Sequence, residues 1–202
     1  MNALRNCEEN SNLLGWVRAS DAIGDFTYPY VLENQEFCME YISTTVIKYT
    51  KKLYIRMLAD GIQYYTDRYS WNAGGTITKS LKNKNQLIVD EFSDGAFQAY
   101  TVRLEEASQK GKIYIIDAEF FIDGCNYVEH QYLGLTNSFP VRNLTLCVRV
   151  ANNLKLLECK YNMYGHSVDR VPKISKVIKP KSGIIEHTFK NLVIGERYNL
   201  EW

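Results

Sequence analysis

Two carboxylates, two positions apart on an otherwise apolar segment, form the most chemically suggestive pattern in this sequence. Between Ile113 and Asp123 the even positions Tyr114, Ile116, Ala118, Phe120 and Ile122 are all apolar, whereas Asp117 and Glu119 stand at odd positions. On an extended chain those two project from one face, about 7 Å apart. Glu129 and His130 follow on the next predicted strand. Carboxylate oxygens at that spacing, joined by an imidazole, can hold a divalent cation and activate its bound water. Asp117, Glu119 and His130 are therefore candidate ligands of a metal-dependent hydrolase or nuclease. The competing reading is a solvated face, with Arg103 set diagonally against Asp117 as a cross-strand ion pair. A nuclease strand of the Asp…Glu-x-Lys kind wants a lysine two positions beyond the glutamate, and Phe121 stands there instead.

The second group is aromatic. Tyr54, Arg56, Tyr65, Asp67, Tyr69 and Trp71 share one face of a predicted hairpin. Flat rings with polar edges bury large area at low entropic cost, as protein interfaces and sugar-binding surfaces do. These six are the candidate binding residues; the alternative is that a second sheet or a loop covers them as ordinary core.

The remaining patterns carry less chemistry. Arg170, Lys173, Lys176, Lys179 and Lys181 fall around a proline-bounded segment, 171–183. Lysine and proline on an exposed edge discourage edge-to-edge pairing, and the aromatic interleaving of single-strand nucleic-acid binders is missing. There is no Gly-x-Ser-x-Gly, no Walker loop and no Gly-x-Gly-x-x-Gly. His166 and His187 read as ordinary hydrogen-bonded histidines. The five cysteines (Cys7, Cys38, Cys125, Cys147, Cys159) are odd in number and widely spaced, with no Cys-x-x-Cys. With three histidines in the chain, a structural zinc site is not expected; reduced thiols in a cytosolic compartment are. Asn143-Leu144-Thr145 fits the glycosylation pattern, but Met1 to Asn12 has no apolar run to serve as a signal peptide.

The elements that must position these groups are strands. Residues 1–18 read as a short amphipathic helix with Leu4, Leu13, Leu14 and Val17 apolar, in an N-terminal arm of residues 1–20. From Phe26 onward the pattern is β-like: runs rich in Val, Ile, Tyr and Thr, broken by Gly, Asn and Asp. The stretch 37–49 fits both periods, and its β-branched residues between Ile42 and Ile47 favour a strand.

Three hairpins can be registered. Asp60-Gly61 is a favoured two-residue turn pairing Ala59 with Ile62, which puts Leu53, Ile55, Met57, Ile62 and Tyr64 on a buried face. Segments 97–106 and 112–123 match their apolar faces with Val102 opposite Ile116, Leu104 opposite Tyr114 and Tyr100 opposite Ala118. Asn152-Asn153 turns 144–150 back along 155–161, with Leu144, Leu146, Val148, Leu157 and Tyr161 on one face. That register sets Cys159 toward the core and Cys147 away from it, so no bridge joins them. Near the C-terminus, Leu192-x-x-Gly195-x-x-Tyr198 resembles the corner before a late strand in immunoglobulin-like and fibronectin-like sandwiches.

Composition bounds the rest. Apolar residues are 46% and charged residues 23%, which argues against disorder. A formal net charge of +1 lowers the expectation of nucleic-acid or membrane-surface binding, and no segment approaches the roughly 20 apolar residues of a spanning helix. The 15 tyrosines fit AT-rich coding DNA as well as function. The sequence therefore predicts an all-β protein, an antiparallel two-layer sandwich or flattened barrel of roughly a dozen strands with a short N-terminal helix. A β unit over 21–136 and a smaller one over 137–202 would meet at Asn137-Ser138-Phe139-Pro140, packed as one globule. The function expected is a non-catalytic binding or assembly module in a larger cytoplasmic complex, without cofactor, docking a protein partner or a second copy of itself. The alternatives are the metal-dependent hydrolase above and a lectin-like carbohydrate-binding domain.

Overall fold

The computed structural model describes residues 29–71, 73–94, 97–125, 132–151, 158–166 and 168–202. The expected N-terminal helix, Glu129, His130 and the Asn152-Asn153 turn lie outside these. Among the described residues the chain is all-β, with thirteen strands in three sheets and no helix. No helix among them is long and apolar enough to cross a membrane.

The largest sheet has six strands. β1 (Tyr30–Tyr41) and β2 (Val46–Met57) form its centre. β7 (Ile113–Asp123) and then β4 (Thr76–Leu81) flank β2, while β9 (Val141–Val150) and then β12 (Ile184–Lys190) flank β1. A three-stranded sheet runs β3 (Tyr64–Tyr69), β6 (Phe97–Arg103), β5 (Leu87–Asp94). A four-stranded sheet runs β11 (Ile174–Ile178), β10 (Cys159–Tyr164), β13 (Arg197–Glu201), β8 (Tyr132–Thr136). All pairings are antiparallel except one: β1 and β9 run parallel, from Leu32 opposite Val141 to Tyr41 opposite Val150. The expectation of a wholly antiparallel protein is corrected there, because the chain passes through all three sheets before returning to β1 in the same direction.

Alternation sets which face each strand buries. Ile47, Leu53, Ile55 and Met57 of β2, Tyr114, Ile116, Ala118, Phe120 and Ile122 of β7, and Leu144, Leu146 and Val148 of β9 are buried in one core. Tyr65, Tyr100 and Val102 of the three-stranded sheet and Tyr198 and Leu200 of the four-stranded sheet belong to the same cluster. Ring contacts join the sheets: Tyr100 lies 5.7 Å from Phe120, and Phe189 5.2 Å from Tyr198. Both are edge-to-face, the geometry that aligns a ring's positive rim with its neighbour's face.

Among the described residues, the strands of the three registered hairpins are not paired with each other. β2 and β3 sit in different sheets, as do β6 and β7, and β9 and β10. The loops after β2 and before β7 clasp each other instead. Gly61 (φ 82) donates its N–H to the Ser108 carbonyl, Ser108 returns its N–H to Ile62, and the Ser108 hydroxyl accepts from Ile62 N–H while donating to the Ala59 carbonyl. Lys110 N–H also donates to the Asp60 carboxylate at 2.7 Å. Each loop carries the chain from one sheet to another, and their backbone groups satisfy one another in place of a turn's own ladder. Segments 97–103 and 113–123, matched as hairpin partners, instead meet across the core with Tyr100 against Phe120, where apolar alternation suits them equally well.

The stretch 37–49 is extended but is not one strand. β1 ends at Tyr41 and β2 begins at Val46. The turn between them has no glycine or proline; Ser43 Oγ accepts the Thr45 N–H at 3.2 Å, a local bond that bends the chain. At the other end, the Tyr198 hydroxyl accepts from Val193 N–H at 2.9 Å and donates to Glu196 at 2.7 Å, closing a corner through Gly195 (φ 90).

Candidate functional site

The inward face of β2 reads Ile47, Tyr49, Lys51, Leu53, Ile55, Met57, and Lys51 is its one charged member. Lys51 is only 4% exposed. An unpaired ammonium at that depth is costly, and the fold supplies three partners. Lys51 Nζ lies 2.6 Å from the Asp67 carboxylate, donates to the Arg68 carbonyl at 3.0 Å, and sits over the Phe37 ring, 4.9 Å from its centroid. β3 brings Asp67 directly opposite Tyr100 of β6, and the Tyr100 hydroxyl donates to Asp67 at 2.7 Å. Burial, with the Asp67 charge beside it, holds the Tyr100 phenol well above the usual tyrosine range, so it stays a donor.

Lys51 forms part of the wall of a cleft of about 990 Å³ lined by all three sheets. Phe37, Tyr49 and Phe120 of the six-stranded sheet form its floor, with Tyr49 5.5 Å and Tyr69 4.8 Å from Phe120. Arg68, Tyr69 and Trp71 line one side, with the Arg68 guanidinium 4.8 Å from the centroid of Phe97. The Trp71 indole N–H donates to the Gly74 carbonyl at 2.6 Å, which fixes the ring's plane. All five residues of β8 and the outward-alternating Arg197, Asn199 and Glu201 of β13 line the other side.

Two properties of this cleft bear on ligands. First, β3 pairs only with β6 and β8 only with β13 among the described residues, so two strand edges border the opening. Second, Asn199 Oδ1 and Trp202 Nε1 are buried on its wall without a hydrogen-bond partner, although the Asn199 amide nitrogen donates to Glu201 at 3.0 Å. Gly134 of β8 makes room for Asn199: a Cβ there would lie 2.8 Å from Asn199 Cβ and 2.8 Å from the Tyr198 carbonyl oxygen.

No protein-family model matches the sequence, and no curated protein does. Among solved structures, an M1 zinc metallopeptidase from Deinococcus radiodurans superposes with a TM-score of 0.46 at 8% identity, over 87% of this chain and 43% of that one. A mutant of a two-domain M1 zinc metallopeptidase bound to L-arginine gives 0.46 at 9% identity, over the same 87% and 43%. The chain thus spans less than half the length of these structures.

The six residues expected on one aromatic face are divided by the fold. Asp67, Tyr69 and Trp71 come together at the cleft or just behind its wall. Tyr65 is buried in the core, its ring 5.3 Å from Tyr30. Tyr54 and Arg56 alternate to the opposite face of the six-stranded sheet, where Lys52 lies over the Tyr54 ring and Arg56 bonds Glu33 at 2.5 Å. The single face required β2 and β3 to be a hairpin, and their separation into two sheets splits it.

The acidic strand is also on that opposite face. Glu119 pairs with Lys48 at 2.8 Å and Asp117 with Lys82 at 3.6 Å. The expected Arg103–Asp117 pair is not made, since Arg103 lies on β6 opposite Tyr64 and Leu87. Among the described residues, no three His, Cys, Asp or Glu side chains are grouped to hold a metal ion. His130 lies outside them. Lys51 escaped the sequence reading, yet its signal was present: a lysine in phase with Ile47, Leu53, Ile55 and Met57.

Proposed function

We propose that this chain is a non-catalytic binding or assembly module, a two-layer sandwich whose smaller sheets cover one face of the large one and leave the cleft between them for an extended segment of a partner protein. The observation that carries this reading is the unpaired acceptor Asn199 Oδ1 and donor Trp202 Nε1, buried on the wall of a cleft bordered by β3 and β8, each of which pairs on one side among the described residues. A peptide group offers one N–H and one C=O, the complement of that pair, and an extended segment can add to a strand edge while alternate side chains enter pockets. The aromatic floor of Phe37, Tyr49 and Phe120 and the rings of Tyr69 and Trp71 suit apolar or aromatic side chains on such a segment. Lys51 and Asp67, already paired, fix the wall.

The test is selection of a displayed library of random peptides against the protein, counter-selected on the Tyr69→Ala/Trp71→Ala variant. Enrichment of segments with alternating apolar residues is expected. The winning peptide should slow amide exchange across Tyr132–Thr136, and Tyr54→Ala, on the far face, should leave its affinity unchanged. Peptides that bind the double variant equally well, or protect only strands of the opposite face, would remove the cleft as the docking site.

A further inference from the structure

The face of the six-stranded sheet opposite the cleft carries two cysteines in register. On the parallel pair β1–β9, Cys38 stands directly opposite Cys147. Side chains at paired positions point to the same side, and neighbouring strands lie about 4.8 Å apart, inside the Cα window of a disulfide but near its short end. Both are free thiols. They open on a polar groove of about 490 Å³ whose walls include the carboxylates of Glu36, Glu40 and Glu186 and the cations of Lys48, Lys52 and Arg149.

We infer that Cys38 and Cys147 are a reversible dithiol–disulfide pair, oxidised by a small zwitterionic disulfide of the glutathione class that the groove's mixed charges admit. The thiolate of one cysteine attacks one sulfur of the oxidant, forming a mixed disulfide and expelling one small thiolate. The other cysteine, opposite it on the neighbouring strand, then loses its proton, attacks the protein sulfur of that mixed disulfide and expels the second. Two protein thiols are oxidised and one small disulfide is reduced to two thiols. An excess of small thiol reverses both steps, as a switch requires.

The test is incubation of the full chain with glutathione disulfide, alkylation of remaining thiols, and peptide mapping by mass spectrometry. A linked Cys38–Cys147 peptide is expected, lost on adding dithiothreitol, while Cys125 and Cys159 remain alkylated. Cys38→Ala and Cys147→Ala should each hold the mixed disulfide on the remaining cysteine, because the resolving thiol is gone. Both cysteines alkylated after oxidation, or a stable glutathione adduct on the unsubstituted chain with no linked peptide, would overturn the pair. If either variant loses its β-type circular dichroism, the map of the unsubstituted chain decides.

Discussion

Replacing Lys51 with methionine removes the buried ammonium while keeping an unbranched stem of similar length, so the change isolates charge from packing. Its consequence falls on Asp67, whose side chain is 12% exposed and would lose a partner 2.6 Å away. Breaking a buried ion pair from one side costs about 3–5 kcal/mol, because the remaining charge stays desolvated. Two features reduce that figure here. Asp67 keeps the Tyr100 hydroxyl at 2.7 Å, and the cleft beside it admits water. Loss of the cation over Phe37 adds back about 0.5–1 kcal/mol. Together these give about 2–4 kcal/mol for Lys51→Met, or a fall in Tm of about 4–16 °C for a chain of this size. Asp67→Asn should cost less, since Lys51 retains the Arg68 carbonyl and an amide oxygen can still accept from Tyr100. Lys51→Met/Asp67→Asn leaves no bare charge, and its cost should undershoot the sum of the single variants by more than about 1 kcal/mol. Urea unfolding followed by tryptophan fluorescence and circular dichroism measures all three, with the midpoint shifting at constant slope. A Lys51→Met protein within about 0.5 kcal/mol of the original, or a strictly additive double variant, would refute the claim that this pair is desolvated and coupled.

Other perturbations test other parts of the fold. Ser108→Ala deprives the Ile62 N–H of its acceptor in the buried clasp between the sheet-crossing loops and should cost about 1–3 kcal/mol by chemical denaturation. Gly134→Val drives a side chain into Asn199 and the Tyr198 carbonyl; a loss of about 1–3 kcal/mol, with faster amide exchange confined first to β8, is the expected result. Burial, helped by Lys176, holds the His187 imidazole below its ordinary value of 6.5. The unfolded chain then binds a proton that the folded chain resists, so stability should fall as pH drops from 6.5 through the lower folded value, and His187→Gln should flatten that limb of a stability-against-pH curve. On the alkaline side, burial raises the phenols of Tyr65 and Tyr100 above the ordinary 10.0, with Tyr30 the next cause for Tyr65 and Asp67 the next for Tyr100. Stability should be fully present below pH 10 and decline above it, which denaturant midpoints measured from pH 8 to 11 would show.

What the sequence made legible was direction, not partnership. The apolar phase of 113–123 is the buried phase of β7 residue for residue, and Leu144, Leu146 and Val148 are buried in β9, where Cys147 of the other phase is buried as well, because alternation follows from strand geometry. Nothing in that alternation says whether the matching apolar segment is hydrogen-bonded alongside or stacked across the core, since both arrangements bury the same side chains. Asp60-Gly61 reads as a turn from composition, but composition does not encode where a chain leaves one sheet for another. The pairing of the Asp60-Gly61 loop with Ser108 is a contact between segments 46 residues apart, to which no local signal points. The parallel alignment of Cys38 with Cys147 was hidden for the same reason.

The cleft shows which departures from pattern carry information. Asp117 and Glu119 drew attention as charges on a polar phase, where solvated ion pairs are the ordinary outcome, and lysines meet both. Lys51 is a charge on an apolar phase, where no ordinary outcome is cheap, so the fold must bring a carboxylate and a carbonyl from β3 and a ring from β1 to it. Asn199 follows the same logic one step further. It is 6% exposed, yet its side-chain oxygen has no hydrogen-bond partner in the wall of an open cleft. Desolvating an amide oxygen without a partner costs about 1–3 kcal/mol, a penalty that a bound N–H would offset. Asn199→Leu should therefore hold or raise the stability of the free protein while weakening capture of the selected peptide, and a variant that binds as tightly as the original would show that this oxygen has no part in recognition.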